Sequence, residues 1–190
     1  MPRSKPRTRR WTRAEFYRMA DLGFFRNRRV ELINGAIVEM PVMKNPHAVA
    51  IALTEDALRK AFGPGFWVRT QMPVALGKWS EPEPDVAVVP GSPRDYSDHP
   101  TTALLVAEIS DTTLSYDRNR KARLYARAGI PEYWIVNLVQ NQLEVRRDPQ
   151  PDPANPRRFR YTQTIILKAG DTIAPLAAPQ ALVAVADLLP

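Results

Sequence analysis

Two short runs constrain this chain more than anything else in it: Asp85 to Val89 (DVAVV) and Leu104 to Ile109 (LLVAEI). Both are almost continuously apolar, without the alternation of a strand that has one wet face. Such runs belong to strands covered on both faces, so the chain needs a central sheet with a layer packed on each side. At 190 residues it is long enough to bury one such core as a single domain. Each run also carries a carboxylate. Asp85 opens the first, after Pro84, and Glu108 lies near the end of the second.

The surrounding segments supply the layers. Thr12 to Leu22 reads as a short helix, with Thr12 and Glu15 forming a capping box. Arg29 to Met40 reads as an N-terminal β-hairpin turning at Asn34-Gly35. Asn45 to Phe62 reads as a helix capped by Asn45, with Pro46 in its first turn and Gly63-Pro64 as its stop. Phe66 to Gln71 and Val74 to Leu76 read as strands, and Tyr116 to Ala128 as a basic amphipathic helix. Glu132 to Asn137 and Gln142 to Arg147 form a second hairpin, followed by a proline-rich loop over Asp148 to Pro156. A strand over Phe159 to Leu167 and a late apolar segment from Gly170-Asp171 complete the chain. This order gives an α/β fold, a mixed central β-sheet flanked by helices.

Charge is uneven. The formal net charge is +7, but Arg3, Lys5, Arg7, Arg9, Arg10 and Arg13 fall in the first 13 residues without an acid, leaving 21 bases against 20 acids. Residues 1–13 are therefore expected as a basic, disordered arm ahead of one domain over 14–190. The absence of cysteine excludes disulfides, thiolate metal sites and a cysteine nucleophile, and fits a cytoplasmic protein. With only His47 and His99, any metal must rest mainly on oxygen ligands, which points to Mg2+ or Mn2+. No apolar run is long enough to span a bilayer.

Phosphate-cradling glycine loops and the GxSxG elbow are absent, so carboxylates and a lysine remain. If the two apolar strands pair antiparallel, Asp85 and Glu108 come side by side. Close carboxylates in an apolar setting repel, and a hard cation between them resolves the conflict. The plainer reading is two exposed strand ends. That reading is weak for Glu108, which is apolar on both sides in sequence. Ser110 shares a strand face with Glu108 and is equally well a polar strand-end residue.

Lys121 shares its helix face with Asp117, Leu124, Tyr125 and Ala128. It either pairs with Asp117 at i,i+4 or reaches the carboxylates on its long stem. Arg120, Arg123 and Arg127 form a separate stripe, either a solvated face or a ridge for DNA phosphates.

The strings PDVAVV, LLVAEIS and YDRNRKARLYARAGIPEYWIVN, with VELINGAIVEM, the helix opening at His47 and the late GDTI, resemble the Uma-two family of restriction-endonuclease-like proteins. That family belongs to the PD-(D/E)XK nuclease superfamily. The resemblance covers roughly Glu15 to Leu188. It implies a restriction-endonuclease-like core and a Mg2+- or Mn2+-dependent phosphodiesterase acting on DNA. On that pattern Asp85 and Glu108 are metal ligands and catalytic carboxylates. The superfamily's usual lysine position is Ser110 here, and Lys121 from the following helix takes its place. Glu31 and His47 match accessory family positions. A homodimer would suit cutting both strands of a duplex. Two other readings stand beside this one: a catalytically inactive nuclease-fold protein acting in DNA binding or assembly, and a hydrolase of small phosphate esters.

Overall fold

The computed structural model describes residues 7–190. At its centre is a six-stranded mixed sheet in the order β3-β4-β5-β6-β7-β8. Its strands are β3 (Phe66–Thr70), β4 (Val86–Pro90), β5 (Leu105–Ser110), β6 (Glu132–Asn137), β7 (Gln142–Asp152) and β8 (Asn155–Lys168). β5 and β6 run parallel, and every other neighbouring pair is antiparallel. The two apolar runs become β4 and β5, adjacent at the middle of the sheet, with every residue of β5 buried.

One face of the sheet packs on helix α2 (Asn45–Phe62), through Leu58, Val86, Leu105, Ala107, Ile109 and Trp134. The other face packs on the helical crossover between β5 and β6, through Ala87, Val89, Val106, Tyr125, Tyr133 and Ile135. This crossover opens as α3 (Leu114–Tyr116), passes through a π turn over Asp117–Lys121 and continues as α4 (Ala122–Arg127). A π turn inserts one residue into the helical spacing, a feature frequent at functional sites.

The N-terminal hairpin, β1 (Val30–Ile33) and β2 (Ala36–Glu39), turns at Asn34-Gly35. It is joined to the body where Leu32 pairs with Glu81. Helix α1 (Arg13–Asp21) carries the expected capping box between Thr12 and Glu15. Strands β9 (Thr172–Ile173) and β10 (Val183–Ala184) form a small separate pair.

Three expectations change. Asn45 is the first residue of α2 rather than its cap; Lys44 takes that place with no side-chain hydrogen bond. Val74 to Leu76 does not join the sheet, because its amides bond to Pro82, Pro100 and Ser80 carbonyls. The proline-rich loop is largely strand: β7 runs to Asp152 and β8 starts at Asn155. The reason lies in the pairing. β6 pairs with β7 only as far as Arg147, so beyond that residue β7 has a single neighbour. Pro149 and Pro151 need no amide donor on the open edge.

Of the basic arm, residues 1–6, with Arg3 and Lys5, lie outside the described residues. From Arg9 to Arg13 the arm is seated on the body. Arg9 bonds Glu15, Arg10 lies over the Trp79 ring and donates to the Asn34 carbonyl, and Arg13 pairs with Glu81.

Candidate active site

The antiparallel register that sets Val86 opposite Ala107 brings Asp85 beside Glu108. Both side chains are buried, and Glu108 faces the crossover. Alternation along β5 sends Val106, Glu108 and Ser110 to that side and Leu105, Ala107 and Ile109 to the α2 side.

Lys121 comes in from the π turn. Its Nζ donates to Glu108 Oε1 at 2.9 Å and to Glu31 Oε1 at 3.1 Å. The lysine is 1% exposed and Glu31 is fully buried in β1, so hairpin, sheet and crossover meet at one ammonium. Tyr125, one turn along, donates its hydroxyl to Glu108 Oε1 at 2.6 Å. The i,i+4 alternative fails: Asp117 Oδ2 accepts instead from Ser110 Oγ at 2.7 Å and Thr113 Oγ1 at 2.6 Å. Ser110 thus buttresses the neighbouring acid and does not face the reacting position.

Asp85 is held from two other directions. Its Oδ2 accepts the Ile109 amide at 2.9 Å and lies 3.2 Å from His47 Nε2, near the start of α2. His47 Nδ1 faces Asp111 at 3.8 Å. The three acids of the EPEPD string have separate fates. Glu81 binds Arg13 and Tyr17, a structural role. Glu83 lines the site at the edge of Arg29's reach, and Asp85 enters it.

Burial and pairing divide the titrations. Burial pushes the Glu108 carboxyl up to about 8, against the pull of Lys121. Burial likewise raises Glu31, Glu83 and Asp117. Lys121 is penalised by burial, but Glu108 and Glu31 outweigh it and hold the ammonium charged. Asp85 is also penalised by burial, yet its contacts with His47 keep it ionised and below the ordinary aspartate value. The same pair raises His47 despite burial. One ammonium therefore faces two carboxylates that burial pushes toward the protonated form, beside an aspartate that His47 holds ionised.

The pocket formed by these groups is narrow, about 30 Å3, and opens past Arg29, Met40, Val42 and Asp111. That is room for an ion and a water, not for a nucleotide. Glu31 Oε2 is buried and has no hydrogen-bond partner. An orphaned, hard oxygen beside two further carboxylates is the donor chemistry that Mg2+ or Mn2+ takes. Among the described residues no three acidic or imidazole groups already form a metal cage. Lys121 stands between Glu31 and Glu108 and supplies the counter-charge there.

Arg120, Arg123 and Arg127 are all exposed, on the opposite side of the helix from Lys121. No helix among the described residues is long and apolar enough to cross a membrane. Sequence reasoning missed Tyr125 as a polar group of the site; its place on the lysine face, four residues beyond Lys121, was the available signal. It also missed Asp117 and Thr113 as a second polar cluster, for which no sequence signal existed.

Comparison with known proteins bears on the fold and the family. A search of curated proteins gives no match. Among solved structures, the chain is similar to a "putative nuclease belonging to DUF820" from Anabaena variabilis ATCC 29413. The TM-score is 0.67 and the identity 16%, over 93% of this chain and 96% of that one. At that identity the likeness speaks for the fold. The Uma2 family model, described as "Putative restriction endonuclease", matches residues 13–186. That span takes in the hairpin glutamate, the strand carboxylates and the crossover lysine together, and the chain belongs to the Uma2 family.

Proposed function

We propose that this chain is a metal-dependent endonuclease that hydrolyses phosphodiester bonds in DNA. One observation carries the reading: Lys121 Nζ reaches Glu108 at 2.9 Å and Glu31 at 3.1 Å, next to an ionised Asp85 in a pocket open to solvent. Perturbed carboxylates around a buried lysine are costly to a fold, and they cluster where chemistry is done.

Asp85 and Glu108 would hold Mg2+ or Mn2+, with Glu31 Oε2 as a further oxygen. When bound, such an ion polarises a phosphoryl oxygen and lowers the pKa of water. The protein's own groups do the positioning. The Ile109 amide and His47 fix the Asp85 carboxylate. Tyr125 fixes Glu108. Lys121 provides a fixed positive charge where negative charge builds on the phosphate, a preorganised stabilisation that needs no covalent intermediate.

The test is conversion of supercoiled plasmid to nicked and linear forms with Mg2+ or Mn2+, and none with chelator. The expected result is nicking by the wild type and none by Glu108→Gln. The second reading is a nuclease-fold protein that binds DNA without cutting, favoured by Ser110 at the usual lysine position. It predicts retention of labelled duplex with no nicking under any metal. A dimer would place two such sites on one duplex, and sedimentation with and without DNA checks that.

A further inference from the structure

We infer that a second site exists on this chain, a basic groove that grips the phosphate backbone of duplex DNA beyond the point of cleavage. It rests on the nuclease reading for the identity of its ligand. The groove has a volume of about 240 Å3, and its lining includes Arg10, Asn34, Arg123, Arg127, Arg157 and Arg158, with no acid among its lining residues. Four separate segments deliver these residues: the N-terminal arm, the hairpin turn, α4 and the β7–β8 tip.

The groove is built, not a chance gathering of surface charge. The Asn34 carbonyl accepts from Arg10 Nε at 2.9 Å, and Asn34 Oδ1 accepts from Arg127 Nη1 at 3.3 Å. Gly35 has φ +82°, and a Cβ there would come within 2.7 Å of Arg10 Cβ. The arm can lie here only because residue 35 has no side chain. The Trp11 amide then locks it, donating to the Gly35 carbonyl at 2.9 Å. Arg10 is further fixed by the Trp79 ring, 4.7 Å from its guanidinium. Guanidinium groups without acidic partners, held around a cleft, suit phosphate oxygens.

The placement relative to the active site is set by the fold. Arg127 lies six residues beyond Lys121 on the crossover, roughly 9 Å along the helix axis. Asn34 lies three residues beyond Glu31 on the hairpin, roughly 10 Å along the strand. These offsets run along the backbone; the groove lies at the turn end of the hairpin while the pocket opens past Arg29 and Met40 at its other end, so the groove would hold a stretch of duplex away from the scissile phosphate. Arg120 in the π turn and Arg123 in α4 are exposed on the same crossover.

The experiment measures binding of a fluorescein-labelled random duplex in chelator, where no cutting occurs, across a series of salt concentrations. Arg123→Ala/Arg127→Ala/Arg157→Ala/Arg158→Ala is compared with wild type and with Arg94→Ala, an exposed arginine outside the groove. Each lost phosphate contact lowers the log–log salt slope by about 0.9, so the quadruple variant should be shallower by about 2 to 4. Its affinity at low salt should fall at least about 10-fold, while Arg94→Ala keeps the wild-type slope. The double variant Arg157→Ala/Arg158→Ala, at an exposed hairpin tip, should give a proportionate part of the change without touching the core. A quadruple variant with unchanged slope overturns the groove, as does wild type that fails to bind. Polyglutamate that displaces duplex as well as unlabelled DNA does also overturns it. Nicking by the wild type is scored separately. Loss of slope without any nicking keeps the groove and removes the nuclease, and nicking with an unchanged slope does the reverse.

Discussion

Replacing Lys121 by methionine keeps much of the stem's volume and removes the one charge that faces Glu31 and Glu108. Two buried carboxylates are then left without their cation. Breaking a buried pair from one side costs about 3–5 kcal/mol, a large share of the roughly 5–15 kcal/mol that holds a domain together. The cost has a defined pH dependence. Burial already pushes Glu108 from 4.5 up to about 8 with Lys121 present. Without the ammonium it goes higher, and Glu31 follows. A carboxylate whose folded pKa is raised carries no penalty below its unfolded value, where both states are protonated. The penalty is full only above the folded pKa. The Lys121→Met deficit should therefore be small near about pH 5, open where wild-type Glu108 begins to ionise at about pH 8, and grow above it. Urea melts of both proteins across that window measure it. Adding Glu31→Gln and Glu108→Gln to the variant should restore most of the stability at the upper pH, because a neutral cluster needs no counter-ion. Cleavage should stay absent. A deficit below about 1 kcal/mol, or one that does not change with pH, refutes the reasoning.

Other residues give further expectations. The His47 ring should titrate above its ordinary 6.5 by NMR and fall back toward it in Asp85→Asn. The stability it contributes is complete below the unfolded value and lost as pH rises through the folded one. Ser110→Ala should cost about 1 kcal/mol in thermal melts through the lost Asp117 bond and leave nicking largely intact. Ser110→Lys, which restores the superfamily residue at a fully buried position beside Asp117, should destabilise without raising activity. Tyr125→Phe should cost about 1–3 kcal/mol and slow cleavage without abolishing it, since Lys121 still holds Glu108.

The carboxylates were legible because they break an apolar pattern. Glu108 stands out within LLVAEI, and Asp85 opens the partner run, so antiparallel pairing alone predicts their meeting. Lys121 was legible as the one cation on the apolar helix face, although the true backbone there is a π turn that regular spacing does not foresee. The Glu31 contact was not derivable from pattern. It spans 90 residues of sequence and depends on how the hairpin docks at Glu81. The alternative pairing of Lys121 with Asp117 fails for a related reason: two hydroxyls occupy that carboxylate. The strands at Asp148 to Pro156 were hidden because proline reads as loop unless the open edge of β7 is known.

The central claim is that the acids at 85 and 108 and the amine at 121 form one hydrolytic centre. Its most direct test is the nicking rate of supercoiled plasmid by purified Asp85→Asn against wild type, at equal Mn2+ and with matched urea melts. A rate lower by about 100-fold or more in a folded variant is the predicted result. A folded Asp85→Asn that nicks at the wild-type rate contradicts it.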